Sequence, residues 1–345
     1  MLEKSKVEKI SIEVIKTLYS RFENFPEDSS DIRNAPFHMA FLEAFTDKLK
    51  GKVSNVPVFI SLASWFHGLN TALGQSFFER TAHILSDGTK KGFKDIKISS
   101  DQQTIISEII SNLKNSVYQP NLKHENELLL QNNNDKHSKS IPEFTADCYF
   151  EEKTKLVLIE LKTVKPNSSI SKESKEKILQ AKAGLQNTNP HKKIIFYIGF
   201  PFDPQSKTAT GYNKKSFFDY NVEFKKFFDP DEVLLASELW DFLSGNKNTM
   251  GQILKIINAI ATPKFLDEYE FLNNHANREK QSGKYLILLK RWNLFSECYL
   301  IKNSKKLYKA IESEPRLFRI LNQPIFTKDG KYNESRSARL KEAIK

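Results

Sequence analysis

The chain reads as an α/β protein, and three observations carry that reading. Residues 145–162, TADCYFEEKTKLVLIELK, contain two short apolar runs, 146–150 and 156–161. β-branched and aromatic residues fill both runs and the charged EEKTK separates them, the pattern of two paired strands and a turn. Ahead of them, LGQSFFERTAHILSDG at 73–88 has helical apolar spacing and stops at Asp87-Gly88. Behind them, a lysine-rich segment with Ile178, Ala181 and Leu185 at helical spacing leads into IIFYIGF at 194–200, apolar enough for a fully buried strand. The order helix, strand, strand, helix, strand thus runs through residues 79–199.

The other elements follow in order. Leu2, Val7, Ile10, Val14, Ile15 and Leu18 form one face of an amphipathic helix, which Pro26 and the acidic segment 27–31 end. A second short helix is expected over 36–49, with Gly51 closing it. Residues 57–85 are helical in pattern, as two helices or one bent near Gly68 or Gly74. Residues 90–97 are basic, and 101–117 read as a helix with Ser100 or Asp101 as N-cap. Residues 119–142 are polar, with QNNND at 131–135, and read as a flexible connection or an exposed hairpin. After the two strands, Ser171 or Ser174 would cap the lysine-rich helix. Residues 201–230 mix the turn signals Pro201, Pro204, Gly211 and Pro230 with YNKKSFFDYNVEFKKFF. That alternation suits stacking and phosphate contact, and equally suits phenylalanines filling a core. A last strand at 233–235, a helix at 238–243 ended by Gly245, and further helices over 249–261, 263–274, 283–296 and 305–320 complete the chain. This divides it into an N-terminal helical segment (1–55), a core (56–245) and a mainly helical C-terminal region (246–345).

Composition narrows the function. The 345 residues are 39% hydrophobic and 12% aromatic, which fits a globular chain with a real core. The net charge of +11 favours a polyanionic partner, because each lysine or arginine set on a phosphate releases a counterion. Cys148 and Cys298 are the two cysteines, without CxxC or Cys/His spacing, which argues against structural zinc and a disulfide framework. The N-terminus MLEKSKVEKISIEVIK lacks an apolar h-region, and no window of about 18 apolar residues occurs, so the expectation is a cytoplasmic protein with no membrane contact. Walker A, GxGxxG, HExxH and GxSxG motifs and an HNH-type histidine cluster are absent from the sequence. Tyr197-Ile198-Gly199 has no preceding GIY partner.

Three ionisable residues interrupt the two apolar runs. Asp147 lies inside the first, and Glu160 and Lys162 close the second, two apart and therefore on one face of a strand. A carboxylate flanked by Ala146 and Cys148 costs several kcal/mol to bury without a ligand or partner. Two carboxylates offer hard oxygens for Mg²⁺, which also binds substrate phosphate oxygens and activates water. An ammonium beside them can orient that water and neutralise developing charge. Metal-assisted phosphodiester hydrolysis needs this set. Beyond it, Lys165, Lys172, Lys175, Lys177 and Lys182 cluster where they could meet phosphates or form a solvated helix face.

The pattern Asp147, spacer, Glu160-Leu161-Lys162 resembles the PD-(D/E)xK nuclease superfamily, a mixed central sheet flanked by helices, here with additional N- and C-terminal helices. Across its length the chain looks like a type II restriction endonuclease of the TdeIII/MjaII-type family, through LGQSFFERTAHILSDG at 73–88, TADCYF…LVLIELKTVKP at 145–166 and VLLASELWDFLSG at 233–245. The resemblance implies Mg²⁺ held by Asp147, Glu160 and the Leu161 carbonyl, with Glu79 on the preceding helix facing the metal. Lys162 would position the attacking water, and Gln180 falls where related nucleases carry a glutamine. It further implies a homodimer that cuts double-stranded DNA at the palindrome 5′-GGNCC-3′, leaving a 5′-phosphate and a 3′-hydroxyl, with a cognate DNA methyltransferase as genetic partner. Two readings compete with it: a repair or recombination nuclease of the same superfamily without sequence specificity, and a catalytically silent DNA-binding protein.

Overall fold

In the computed structural model, which describes residues 1–26, 42, 49, 51–53, 56–131, 138–163 and 168–344, the two apolar runs are neighbouring strands of a mixed sheet. Its strands are β1 (Thr89–Phe93), β4 (Phe144–Glu151), β5 (Lys155–Leu161), β6 (Lys193–Phe200) and β7 (Val233–Leu235). Among the described residues they lie in the order β1-β4-β5-β6-β7, while β2 (Lys97–Ser99) and β3 (Ser138–Ser140) form a separate antiparallel pair. The β1–β4 and β4–β5 pairings are antiparallel; β5–β6 and β6–β7 are parallel. A short turn suffices between β4 and β5, whereas the parallel step from β5 to β6 needs a crossover. The helix Ser168–Thr188 supplies it.

Numbered in chain order, the described helices include α1 (Lys4–Phe22), α2 (Val56–Ala72), α3 (Glu79–Ser86), α4 (Ser100–Lys114), α5 (Leu122–Gln131), α6 (Ser168–Thr188), α7 (Lys214–Tyr220), α8 (Val222–Lys225), α9 (Ser237–Ser244) and α10 (Thr249–Ile260). Alternation along β5 separates two faces. Ile159 and Leu161 share the face on which Gly199 meets Leu239 of α9, and Cys148, opposite Ile159, meets Ser86 of α3 there. Glu160 points to the other face and is met by Lys177 of α6. The sheet is thus covered on both sides, which is why β5 reads as a continuous apolar run.

Several local expectations change. The helix at 36–49 lies outside the described residues except for Leu42 and Leu49, both helical. The break expected near Gly74 is a π-helical turn, Leu73–Phe78, leading directly into α3. Ser99, not Ser100 or Asp101, caps α4: its hydroxyl accepts from the Gln102 amide while the Gln102 side chain accepts from Ser99 N–H. α6 begins at Ser168, so Ser171 and Ser174 are buried within it instead of capping it. The segment 119–142 is no flexible connection where described. It forms α5, whose Glu125 is buried, and β3. In 201–230 the phenylalanines from 217 on go inward, Phe217, Phe218, Phe224, Phe227 and Phe228 all being buried and Phe224 stacked on Phe228 at 4.5 Å, while Phe202, Tyr212 and Tyr220 are exposed.

The described chain divides into two units, Met1–Leu2 with Phe78–Ile253 and Glu3–Phe77 with Leu254–Lys345. Residues 56–77 therefore group with the helical ends of the chain, and 246–253 with the sheet. The second unit is helical, from α1 and α2 to the C-terminal helices ending with Glu334–Ala343. Its interior includes Tyr19 stacked on Tyr269 at 4.5 Å, Phe265 stacked on Trp292 at 5.5 Å, and a buried Arg336–Glu297 pair at 2.8 Å.

The junction of α3 and β1 is tight. Asp87 takes a left-handed φ of 53° to end the helix, and a Cβ on Gly88 would stand 2.7 Å from the Tyr149 carbonyl oxygen. Gly88→Ala should cost roughly 1–3 kcal/mol by forcing backbone apart, measured by urea unfolding. Gly283→Ala, where a Cβ meets open space within a helix, should be neutral or slightly stabilising.

Candidate active site

The site begins with strand register. Cys148 lies opposite Ile159 and Tyr149 opposite Leu158, so the next step of that register brings Asp147 opposite Glu160. Cross-strand partners share a face. Asp147 is further tied to β5 by its Oδ2, which accepts the Leu161 N–H at 2.9 Å.

On its other side β4 is irregular. Thr89 pairs with Tyr149 and Lys91 with Ala146, so two residues of β4, Asp147 and Cys148, face the single residue Lys90 of β1. This is a β-bulge, a device that re-aims side chains where pairing would otherwise be regular. Helix α3 is pinned to it at two points. The Asp147 carbonyl accepts from His83 Nε2 at 2.6 Å, which assigns the ring proton to Nε2, and Ser86 Oγ lies 3.4 Å from Cys148 Sγ. One helical turn before His83, Glu79 then reaches the same bulge. Its two oxygens accept from Lys90 Nζ at 3.2 and 3.0 Å, and that ammonium is 3.8 Å from Asp147 Oδ1.

Glu160 is buried, 6% exposed. Lys162, just past β5, places Nζ 2.5 Å from Oε1, and Lys177 of α6 pairs with Oε2. The two acids consequently differ in electrostatics. Burial pushes the Asp147 carboxyl above the usual range, and although the Leu161 N–H opposes this, Glu79 and Glu160 add to it. Burial also opposes ionisation of Glu160, but Lys177 and Lys162 together outweigh it and hold that carboxyl below its ordinary value.

The structure therefore brings together Glu79, Asp147, Glu160 and Lys162, with Leu161 contributing its backbone N–H. Lys165 lies outside the described residues, and Lys172 and Gln180 are half-buried on α6. Lys175 and Lys182 are corrected: neither presents its ammonium to a phosphate. Lys175 is fully buried, its Nζ 2.5 Å from Glu125 and 2.6 Å from Glu232, and Lys182 is buried with Nζ 3.6 Å from Glu232. They hold α6 to α5 and to the 3₁₀ turn before β7. Lys177, grouped with them in the sequence, turns instead to Glu160. Reasoning from sequence missed Lys90 and His83 as site neighbours; the bulge that recruits them has no signature in TADCYF.

Carboxylate oxygens are the donors Mg²⁺ takes, and three carboxylates from α3, β4 and β5 converge here, so the donor chemistry fits. Each is turned to an ammonium, Glu79 and Asp147 to Lys90, Glu160 to Lys162 and Lys177. Among the described residues no three His, Cys, Asp or Glu side chains are already grouped to hold a metal ion.

A mixed sheet covered by helices, with Asp147 at the bulge of β4, Glu160 and Lys162 at the end of β5 and Glu79 on the preceding helix, fits a restriction endonuclease-like core. The family model described as Type II restriction endonuclease, HinfI, matches residues 2–261. Type II restriction enzyme MjaII of Methanocaldococcus jannaschii is 44% identical over 361 aligned positions that cover 99% of this chain and 97% of that relative. The chain belongs to the HinfI family of type II restriction endonucleases and is a site-specific deoxyribonuclease. Among the described residues no helix is long and apolar enough to cross a membrane.

Removing one partner of a buried ion cluster leaves the others uncompensated. Lys175→Met should therefore destabilise the protein by roughly 3–5 kcal/mol in urea unfolding, whereas a phosphate-contacting lysine would leave unfolding unchanged and weaken only DNA binding.

Proposed function

We propose that this endonuclease makes Mg²⁺-dependent double-strand cuts at 5′-GGNCC-3′, acting in the cytoplasm as a homodimer matched to the palindrome's two-fold symmetry and in partnership with a cognate DNA methyltransferase. The observation that carries the mechanism is the tie of Asp147 to the end of β5, its Oδ2 accepting the Leu161 N–H at 2.9 Å, beside Glu160 with the Lys162 ammonium at 2.5 Å. The target sequence and the assembly rest on the family likeness.

In this reading Asp147 and Glu160 would hold Mg²⁺, and Glu79 and the Leu161 carbonyl would be further oxygen donors. When bound, the ion supplies a Lewis acid for the scissile phosphate and lowers the pKa of water. The chain's own groups do the rest. The Leu161 N–H orients Asp147, and burial keeps the Glu160 carboxylate in a weakly screened setting where its attraction for a cation is strong. Lys162 donates to the attacking water, aligning it with the phosphorus and offsetting charge as it develops. Lys177 holds the opposite oxygen of Glu160, which leaves the carboxylate one orientation. The products are a 5′-phosphate and a 3′-hydroxyl.

Asp147→Ala and Lys162→Ala should each abolish Mg²⁺-dependent cleavage while DNA binding in Ca²⁺ is largely retained; normal cutting by both variants would refute the assignment. Digestion of plasmids of known sequence should give discrete bands at GGNCC spacing, whereas a smear would mean a nuclease without that specificity.

A further inference from the structure

Lys90 has no part in the chemistry above, yet the β-bulge sets it opposite Asp147. Its ammonium donates to both oxygens of Glu79, at 3.2 and 3.0 Å, and stands 3.8 Å from Asp147 Oδ1. It therefore rests on two of the carboxylates assigned to the metal. A divalent cation and an ammonium drawn to the same oxygens repel each other at such distances.

The surroundings of Lys90 favour its departure. Its side chain is 51% exposed on the edge strand β1, so the ammonium can exchange carboxylate for water at little cost. Lys162 and Lys177, by contrast, are 25% and 32% exposed and hold opposite oxygens of the buried Glu160. Among these three lysines, Lys90 is the one whose partners are the more accessible acids and whose own side chain has an open path to solvent.

We propose that Lys90 is a built-in counter-cation of the metal site: without metal it neutralises and positions Glu79 and Asp147, and an entering divalent ion displaces its ammonium into solvent. Lys90 is a positioning residue, and it sets the metal concentration at which the site fills. The inference rests on the metal-binding reading of Glu79 and Asp147.

The test is calorimetric titration of Ca²⁺ into the full-length protein without DNA, using the natural chain, Lys90→Met, Lys90→Gln, Lys91→Met and Asp147→Ala, each first checked for folding by thermal melting. Lys91 is the charge control, since its ammonium lies 4.0 Å from the Tyr149 ring centroid and not on the acids. The expected result is Ca²⁺ binding about fivefold tighter in both Lys90 variants, unchanged in Lys91→Met and lost in Asp147→Ala. Binding by the Lys90 variants alone, with none in the natural chain, supports the proposal equally. If Asp147→Ala loses binding but the Lys90 variants bind no tighter than the natural chain, the Lys90 role is overturned and the metal assignment stands. If Asp147→Ala binds like the natural chain, or if neither the natural chain nor the Lys90 variants bind, both are overturned.

Discussion

Everything in this site depends on how β4 sits between its two neighbours. Toward β5 it is regular, and one step beyond the Cys148–Ile159 pair the same register sets Asp147 across from Glu160. Toward β1 it carries a bulge at Asp147 and Cys148. Continued from Lys91 and Ala146 the ladder sets Lys90 against Asp147, and continued from Thr89 and Tyr149 it sets Lys90 against Cys148, whose side chain alternates to the other face. The bulge resolves this by letting one β1 residue face two of β4. It also leaves the Asp147 carbonyl to His83, so the irregularity that aims the acid is the same one that anchors the helix carrying Glu79.

Charges inside a low-dielectric core must be matched, and this fold matches them in two separate groups. In the first, Lys175 is buried between Glu125 and Glu232 with Lys182 alongside, which locks α6 to α5 and to the turn before β7. Isolated burial of any one of these groups would cost several kcal/mol. The second is the candidate active site, where three acids meet three lysines. The difference lies in access. The Lys175 cluster is sealed, while the ammonium on Glu79 and Asp147 is half open to water. A sealed cluster fixes a helix, and an open one can exchange its cation.

Much of this was legible in the sequence for definite reasons. The strands β4, β5 and β6 announce themselves because buried strands of a covered sheet read as unbroken apolar runs. Asp147 and Glu160 stood out because carboxylates are rare inside such runs. Glu79 came through family likeness and not from its local pattern. The misreadings have a common cause: a long polar segment looks like a surface. Residues 122–131 contain enough charge to pass for a loop, but tertiary pairing of Glu125 with Lys175 turns them into a packed helix. The lysines of α6 read equally as phosphate contacts or as a solvated helix face, and only the fold separates Lys175 and Lys182, which face the core, from Lys177, which faces Glu160. Lys90 was invisible because a bulge depends on which residues pair, and pairing is not local information.

The proposed function turns on Glu79, Asp147 at the bulge of β4 and Glu160 at the end of β5 holding one metal ion between them. Anomalous scattering from a crystal soaked in Mn²⁺ tests it most directly. The account predicts a peak within coordinating distance of Asp147 and Glu160, with Lys162 beside it. A well-occupied peak elsewhere on the sheet unit, with these two carboxylates still held only by their lysines, would contradict it.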